Sequence, residues 1–224
     1  MSATAGGYAS RRLLGSPGER LSSGRTALVV GDMQNDFCAP GGYIAGALGK
    51  DVLGLATILP SLQALLAVAR GSGLPVVWLA ARYEEDLLPP SMLAQKRRLG
   101  IEAICCAGDT WGADFFGVAP RSGEPVFSKS TYSGFSNPAF EAHLRAAGIE
   151  ALVFCGVQTN VCVESTLREA HTRGFDVAIV RDAVASHAPA LHEGTLANVG
   201  FLFGDVVTAA DLTGIWSAVS RPAA

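Results

Sequence analysis

Cys162 is the residue best suited to act as a nucleophile. It lies in the stretch Phe154 to Arg168, where an apolar strand-like run passes through a short polar turn into a segment of helical character. A sulfur in the first turn of a helix faces unpaired backbone N–H groups and the positive end of the helix dipole, and both favour the thiolate. The sequence therefore predicts a nucleophilic cysteine with a lowered pKa; the alternative is a buried, inert thiol.

Asp32 and Lys129 are the charged residues that could serve such a thiolate. Asp32 ends the apolar run that begins at Ala27, and a carboxylate at the end of a buried strand is costly unless it is paired or hydrogen-bonded. Lys129 follows another apolar run among small and aromatic residues, where its ammonium group could stabilise a thiolate. The alternatives are a side chain that caps the turn at Asp32 and an ordinary exposed lysine.

The other cysteines and histidines give weaker signals. Cys155 falls within an apolar run and is best explained as a small core residue. Cys105 and Cys106 are adjacent, but no second pair stands at the spacing of a zinc site. His187 and His192 are five residues apart, which is not the same-face spacing of a helix, so we expect pocket-wall or helix-cap residues. We therefore predict no metal and no cofactor.

Aromatic and basic residues near the same positions are candidate substrate contacts. Aromatic side chains could form the wall of a substrate-sized pocket, or pack in the core or between subunits. Arginine side chains could hold an anionic part of a substrate. The aromatic candidates are Phe37, Tyr43, Trp111 and Tyr132, and the basic candidates are Arg82, Arg97 and Arg98.

These residues can meet only if the chain forms a sheet that brings them to one edge. Short apolar runs alternate with longer segments of helical period, which predicts βαβ units around a mostly parallel sheet. In such sheets, ligands bind beyond the carboxyl ends of the strands, where Asp32, Lys129 and Cys162 would lie. The six predicted strands are Ala27 to Asp32, Pro75 to Ala80, Pro125 to Phe127, Ala151 to Cys155, Asp176 to Val180 and Asp205 to Val207.

Prolines and glycines mark the ends of the predicted helices, and one long segment has no helical or strand period. Pro60 and Pro138 stand where helices should begin, and Gly71, Gly148 and Gly174 stand where helices should end in a left-handed residue. The segment from Tyr83 to Glu124 has no sustained period, and we expect it to form a long excursion that covers or walls the site.

The composition indicates one globular domain. The chain has 224 residues, of which 49% are hydrophobic and 17% charged, so a large core is expected. Seventeen Lys and Arg against twenty Asp and Glu, without a basic block, argue against nucleic acid. The apolar runs are shorter than a membrane span, and five cysteines without a secretory signal indicate the cytoplasm. We expect residues 1–24 to be a flexible arm, or else a transit peptide, and residues 25–224 to be the domain.

Taken together, three stretches resemble the motifs of the isochorismatase-like cysteine hydrolases. They are Asp32-Met33-Gln34-Asn35-Asp36-Phe37, the stretch that begins at Lys129, and Gly156-Val157-Gln158-Thr159-Asn160-Val161-Cys162. The resemblance implies a doubly wound sheet with helices on both faces, a catalytic Asp32, Lys129 and Cys162, and a cis peptide between Val157 and Gln158. It also implies a homodimer or homotetramer. The backbone N–H groups of Gln158 and Cys162 would then bind the oxyanion.

Within that family, the chain looks closest to the ureidoacrylate, N-carbamoyl and biuret amidohydrolases. This favours a small ureido, carbamoyl or primary amide substrate. Nicotinamidases place metal ligands where this chain has Ala80-Ala81-Arg82-Tyr83, so a metal-dependent nicotinamidase is disfavoured. Biuret-cleaving relatives carry a glutamine near the position of Val199, and its absence weakens that assignment too. A further departure is Gly31, where relatives usually have a branched aliphatic residue. The open alternatives are vinyl-ether hydrolysis of the isochorismatase type and a non-catalytic oligomeric protein.

Overall fold

The computed structural model describes residues 15–22 and 24–219, and its centre is a six-stranded parallel sheet. The strand order is β3-β2-β1-β4-β5-β6. The strands β2 and β3 therefore extend from one side of β1 to one edge of the sheet, and β4, β5 and β6 extend from its other side to the opposite edge. Every neighbouring pair of strands is parallel, which confirms the predicted fold class. The strands are β1 Thr26–Gly31, β2 Val76–Ala81, β3 Val126–Lys129, β4 Ala151–Val157, β5 Asp176–Ala185 and β6 Asp205–Val207.

The helices begin and end largely where the local sequence requires. Proline occupies the first turn of α4 and α6, as predicted at Pro60 and Pro138, because its missing N–H is not needed there. Gly148 has a positive φ after α6, but the residue with positive φ after α4 is Gly73 and not the predicted Gly71. The helices are α1 Pro17–Arg20, α2 Asn35–Cys38, α3 Tyr43–Gly46, α4 Leu59–Gly71, α5 Pro90–Arg98, α6 Pro138–Ala146, α7 Glu164–Thr172, α8 Pro189–Asn198 and α9 Ala209–Val219.

Helices cover both faces of the sheet. On one face, Leu62 and Leu66 of α4 pack in the same core as Trp216 of α9. On the other face, Phe140 of α6 and Leu167 of α7 pack in a second core. Because both faces are buried, the central strands β1, β2 and β4 are buried at every position, which explains their continuous apolar runs.

The stretch Leu53–Gly71 is long and apolar enough to cross a membrane by length and composition alone. It joins a 3₁₀ helix, Leu53–Ile58, to α4, and one side of it is buried against the sheet. We interpret it as a core helix, because its buried residues belong to the same core as the strands. These buried residues are Leu55, Ile58, Leu62, Leu65, Leu66 and Ala69.

Part of the predicted N-terminal arm packs onto the domain. Ser16 caps α1, Leu21 is fully buried, and Trp216 Nε1 donates a 2.9 Å hydrogen bond to the Leu21 carbonyl. Arg20 forms an ion pair with Asp205 at 2.6 Å. The prediction of a flexible arm therefore does not describe residues 15–22, whereas residues 1–14 and 23 lie outside the described part of the chain.

The long segment from Tyr83 to Glu124 contains more regular structure than predicted. It forms α5 and a short 3₁₀ helix, Trp111–Ala113, and an isolated bridge between Phe115 and Gln34 joins it to the rest of the fold. None of the residues of α5 is buried, so its helical period carries no apolar signal in the sequence. The segment does form one wall of a cavity, as described below.

Candidate active site

Three side chains that are distant in sequence meet at the carboxyl edge of the sheet. Asp32 follows β1, Lys129 ends β3, and Cys162 lies in a π-helical turn, Thr159–Val163, between β4 and α7. Lys129 Nζ lies 3.0 Å from Asp32 Oδ2, and both side chains are fully buried. The charges of Asp32 and Lys129 both act on the Cys162 thiol. The predicted trio is therefore assembled around one sulfur atom.

The turn after β4 depends on a close approach between two strands. Gly156 has a φ of 105°, and a Cβ at that position would lie 2.1 Å from the Gly31 carbonyl oxygen. Only glycine fits there. By contrast, a Cβ at Gly31 would meet its nearest neighbour at 3.6 Å, which is ordinary contact. The peptide bond that follows, between Val157 and Gln158, is cis.

Burial and the neighbouring charges together set the protonation states of the site. Burial raises the pKa of Asp32, although Lys129, Cys162 and the Ala81 backbone act in the opposite direction. Burial by itself would lower the pKa of Lys129, but Asp32 and Cys162 outweigh it and the net pKa is raised. Lys129 therefore stays charged.

The Cys162 thiol is the exception to the sequence prediction. Burial and the negative charge of Asp32 raise its pKa to about 12, although Lys129 and Tyr83 oppose the shift. The predicted lowering of this pKa is wrong, because burial and Asp32 outweigh the charges and dipoles that favour a thiolate. Cys162 is thus a neutral thiol beside a potential proton acceptor, and it must lose its proton as it reacts.

Tyr83 is a site residue that the sequence did not reveal. Its hydroxyl lies 3.6 Å from Cys162 Sγ and 3.2 Å from the Thr131 carbonyl oxygen. Lys129 Nζ donates to the same hydroxyl at 3.3 Å. Burial raises the pKa of Tyr83 well above its usual range, so the group is a neutral O–H that can donate to the sulfur. The available signal was its position two residues after β2, at the edge where Asp32 also lies.

A cavity of about 220 Å³ opens onto Cys162. The predicted contacts Phe37, Tyr43 and Tyr132 line it, as do Gln158 and His187. Cavities for drug-sized ligands measure about 300–1,000 Å³, so this one suits a smaller molecule. The remaining lining residues are Ile44, Leu48, Tyr83, Leu88, Met92, Gln95, Lys96, Leu99, Ile101, Cys105 and Val161.

Four predicted substrate contacts do not reach this cavity. The Arg82 guanidinium forms an ion pair with Glu84 at 2.6 Å outside it, and the side chain of Arg82 is 40% exposed. Trp111 is 54% exposed and lies against Gly41. Arg97 and Arg98 project from α5 into solvent. The prediction that these side chains hold the substrate is therefore wrong for this cavity, because neighbouring groups or solvent satisfy them.

Gln158 presents a polar group that bonds to no atom in the described part of the chain. Its Oε1 accepts hydrogen bonds from the backbone N–H of His187 at 3.0 Å and from His187 Nδ1 at 3.1 Å. The amide nitrogen, Nε2, is buried and has no hydrogen-bond partner among the described residues. His187 is thus a wall residue, as predicted, whereas His192 Nδ1 contacts Thr159 Oγ1 at 2.9 Å.

Among the described residues, one cluster has the composition of a metal site. The ligand atoms of Asp36, Cys105 and Cys106 lie within 4.8 Å of one another. However, the Asp36 carboxylate accepts hydrogen bonds from the backbone N–H groups of Cys106 at 2.6 Å and Tyr43 at 3.1 Å. The hydrogen bond to Cys105 and burial both raise the pKa of Cys106 far above its usual range. We interpret the cluster as a link between α2 and the excursion, and the absence of a metal stays a prediction.

The chain is similar to known hydrolases along most of its length. The family model described as the isochorismatase domain matches residues 26–211. A ureidoacrylate amidohydrolase of Methylorubrum extorquens is 35% identical over 193 residues, covering 80% of this chain and 77% of that protein. One from Pseudomonas syringae pv. syringae is 33% identical over 217 residues, covering 91% and 88%.

Solved structures show the same architecture. A cysteine hydrolase from Pseudomonas syringae pv. phaseolicola superimposes with a TM-score of 0.78 at 27% identity, covering 94% of this chain and 99% of that one. The N-carbamoylsarcosine amidase from Thermoplasma acidophilum superimposes with a TM-score of 0.67 at 27% identity, covering 84% and 97%.

Proposed function

Because the chain belongs to the isochorismatase family and is an amidohydrolase, we propose that it cleaves a small ureido, carbamoyl or primary amide through a thioester on Cys162. The observation that carries this proposal is the meeting of a thiol, a buried carboxylate and a buried ammonium group at the wall of one small cavity. A nucleophile, a proton acceptor and a fixed positive charge are the groups that acyl transfer to sulfur requires.

The first half of the reaction forms the thioester. Asp32 accepts the proton of Cys162 as the sulfur attacks the carbonyl carbon, and Lys129 stabilises the negative charge that passes through the sulfur. The carbonyl oxygen becomes an oxyanion, which the backbone N–H groups of Gln158 and Cys162 bind. Asp32 then gives the proton to the departing nitrogen, which leaves as ammonia. The C–N bond breaks as the C–S bond is retained.

The second half releases the acyl group. Asp32 accepts a proton from water, which attacks the thioester, and the same proton returns to the sulfur as it leaves. A primary amide yields a carboxylic acid. A ureido substrate yields a carbamic acid, which breaks down to carbon dioxide and an amine.

The Tyr83 hydroxyl assists the first step. It lies within hydrogen-bond reach of Cys162 Sγ, and an O–H donor stabilises a thiolate more than a thiol. Tyr83 therefore offsets part of the cost of ionising a sulfur whose pKa burial has raised.

Ammonia release from a panel of ureas, N-carbamoyl amines and primary amides tests the proposal. Cys162→Ser should lower kcat/KM by at least about 10³-fold. Cys155→Ser is the matched control, because that sulfur is buried against the Val29 carbonyl in the core and has no contact with the cavity. Cys155→Ser should retain activity within about threefold.

Other outcomes would point elsewhere. Hydrolysis of a vinyl-ether substrate that survives Cys162→Ser but not Asp32→Asn, with no ammonia released from the panel, would indicate an isochorismatase-type reaction, in which the carboxylate suffices. No ammonia from any member of the panel, with small ligands still bound, would indicate a binding protein that retains the fold.

A further inference from the structure

The cavity beside Cys162 is lined mainly by hydrocarbon. Most of its wall consists of aliphatic and aromatic side chains contributed by α3, the loop that follows it, and the excursion between β2 and β3. Apolar walls of this kind bind apolar groups, because such surface is removed from water on both sides of the contact. The aliphatic residues that these segments contribute are Ile44 and Leu48 from α3 and its loop, and Leu88, Met92, Leu99 and Ile101 from the excursion.

The cavity offers little to an anion. Among the described residues that line it, only Lys96 carries a permanent positive charge, and its Nζ donates to the Ala103 carbonyl at 3.0 Å. Lys129 lies behind the site and is paired with Asp32. Burial, and then the charge of Lys50, lower the pKa of His187, so this ring is neutral near pH 7. A carboxylate inside the cavity would lose its hydration without gaining a dedicated partner.

Gln158 offers the substrate a buried side-chain donor. The Gln158 side chain is held through Oε1 by two donors from His187, which points its Nε2 away from that contact. Gln158 is 4% exposed and lines the cavity, yet Nε2 has no partner within the described part of the chain. A buried N–H without a partner is costly, so a bound molecule that supplies a neutral oxygen would satisfy it.

We propose that the substrate is an uncharged amide or urea with an apolar alkyl or aryl group, and not a ureido or amido acid. This inference rests on the proposed function, since it concerns the acyl site next to Cys162. The apolar group packs against the excursion and α3, and the substrate oxygen accepts a hydrogen bond from Gln158 Nε2. The chain thus differs from relatives named for ureidoacrylate, which is an acid.

A matched pair of ureas tests the substrate class. Isopentylurea and N-carbamoyl-β-alanine have nearly the same shape, but the first ends in two methyl groups where the second ends in a carboxylate. The kcat/KM for ammonia release should favour isopentylurea by at least about tenfold. Equal values, or a preference for the acid, would overturn the inference.

Binding measured without turnover separates this inference from the proposed reaction. Titration calorimetry with the Cys162→Ala protein should show tighter binding of isopentylurea, by the same factor, whether or not the parent chain hydrolyses it. Tighter binding without ammonia release by the parent chain would support the inference and refute the reaction. Tighter binding of N-carbamoyl-β-alanine would refute the inference alone.

A positive charge placed in the wall should weaken the preference for the neutral urea. Met92→Lys adds a cation to the cavity, whereas Ala94→Lys adds the same charge to an exposed position on the same helix. Met92→Lys should lower the ratio of kcat/KM for isopentylurea to kcat/KM for N-carbamoyl-β-alanine by at least about tenfold. Ala94→Lys should leave this ratio unchanged. The same change in both variants, or in neither, would overturn the assignment of the apolar wall.

Discussion

Replacing Tyr83 by phenylalanine should slow the proposed reaction without disturbing the fold. The change keeps the ring, which packs edge-on against Phe37 and Tyr132, and removes only the hydroxyl. That hydroxyl is within 3.6 Å of Cys162 Sγ and 3.3 Å of Lys129 Nζ. A hydrogen bond to a charged group contributes about 1.5–3 kcal/mol. Since about 1.4 kcal/mol is tenfold in rate, kcat/KM should fall about ten- to hundredfold.

The sulfur itself provides a second readout. Tyr83 lowers the pKa of Cys162, which is nevertheless raised to about 12, so the variant should hold less thiolate at every pH below that value. Alkylation of Cys162 by iodoacetamide, followed by mass spectrometry between pH 7 and pH 10, should be slower at each pH by about the same factor. Tyr132→Phe changes another tyrosine of the cavity and should leave this pH profile unchanged.

The thermal midpoint of unfolding, Tm, decides how a loss of activity is interpreted. If Tyr83→Phe lowered activity together with Tm by many degrees, the hydroxyl would have a structural role. If Tm were unchanged, and kcat/KM and the alkylation rates stayed within twofold of the parent values, the assignment of Tyr83 as a donor to the sulfur would be refuted.

Three further predictions follow from the charges of the site. The acid limb of the kcat/KM profile should lie above the ordinary aspartate range, because the reaction needs an ionised Asp32 and burial raises its pKa; a limb near pH 4 would contradict this. Lys129→Met should lower the free energy of unfolding by about 3–5 kcal/mol, and adding Asp32→Asn should recover much of it, as denaturation in urea can show; an unchanged midpoint would argue against the buried pair. Arg82→Ala should change KM for an acidic urea less than twofold, since Arg82 pairs with Glu84 outside the cavity; a tenfold rise would restore the original hypothesis.

Most of the sheet could be predicted because its strands are buried on both faces. Such strands need continuous apolar runs, and the predicted strand Ala27 to Asp32 coincides with β1 to within one residue at each end. The predictions erred where side chains alternate between solvent and core. β3 extends two residues beyond the predicted end at Phe127, and β5 continues to Ala185 past the half-exposed Asp182.

The excursion shows the opposite case. α5 buries none of its residues, so hydrophobic periodicity cannot distinguish it from a loop. Its position over the site depends on contacts with another segment, such as the bridge between Phe115 and Gln34 and the hydrogen bond from the Cys106 backbone N–H to the Asp36 carboxylate. The local sequence does not predict these contacts, because the residues that form them are distant along the chain.

For the site, the local sequence determined which residue types stand at the carboxyl ends of the strands. Parallel strands bring those ends to one edge, so Asp32, Lys129 and Cys162 could be placed together before any coordinates. Their protonation states, the hydroxyl of Tyr83 beside the sulfur and the pairing of Arg82 with Glu84 depended instead on burial and on distances between strands. Electrostatic energies vary with depth and separation, and these quantities exist only once the chain has packed.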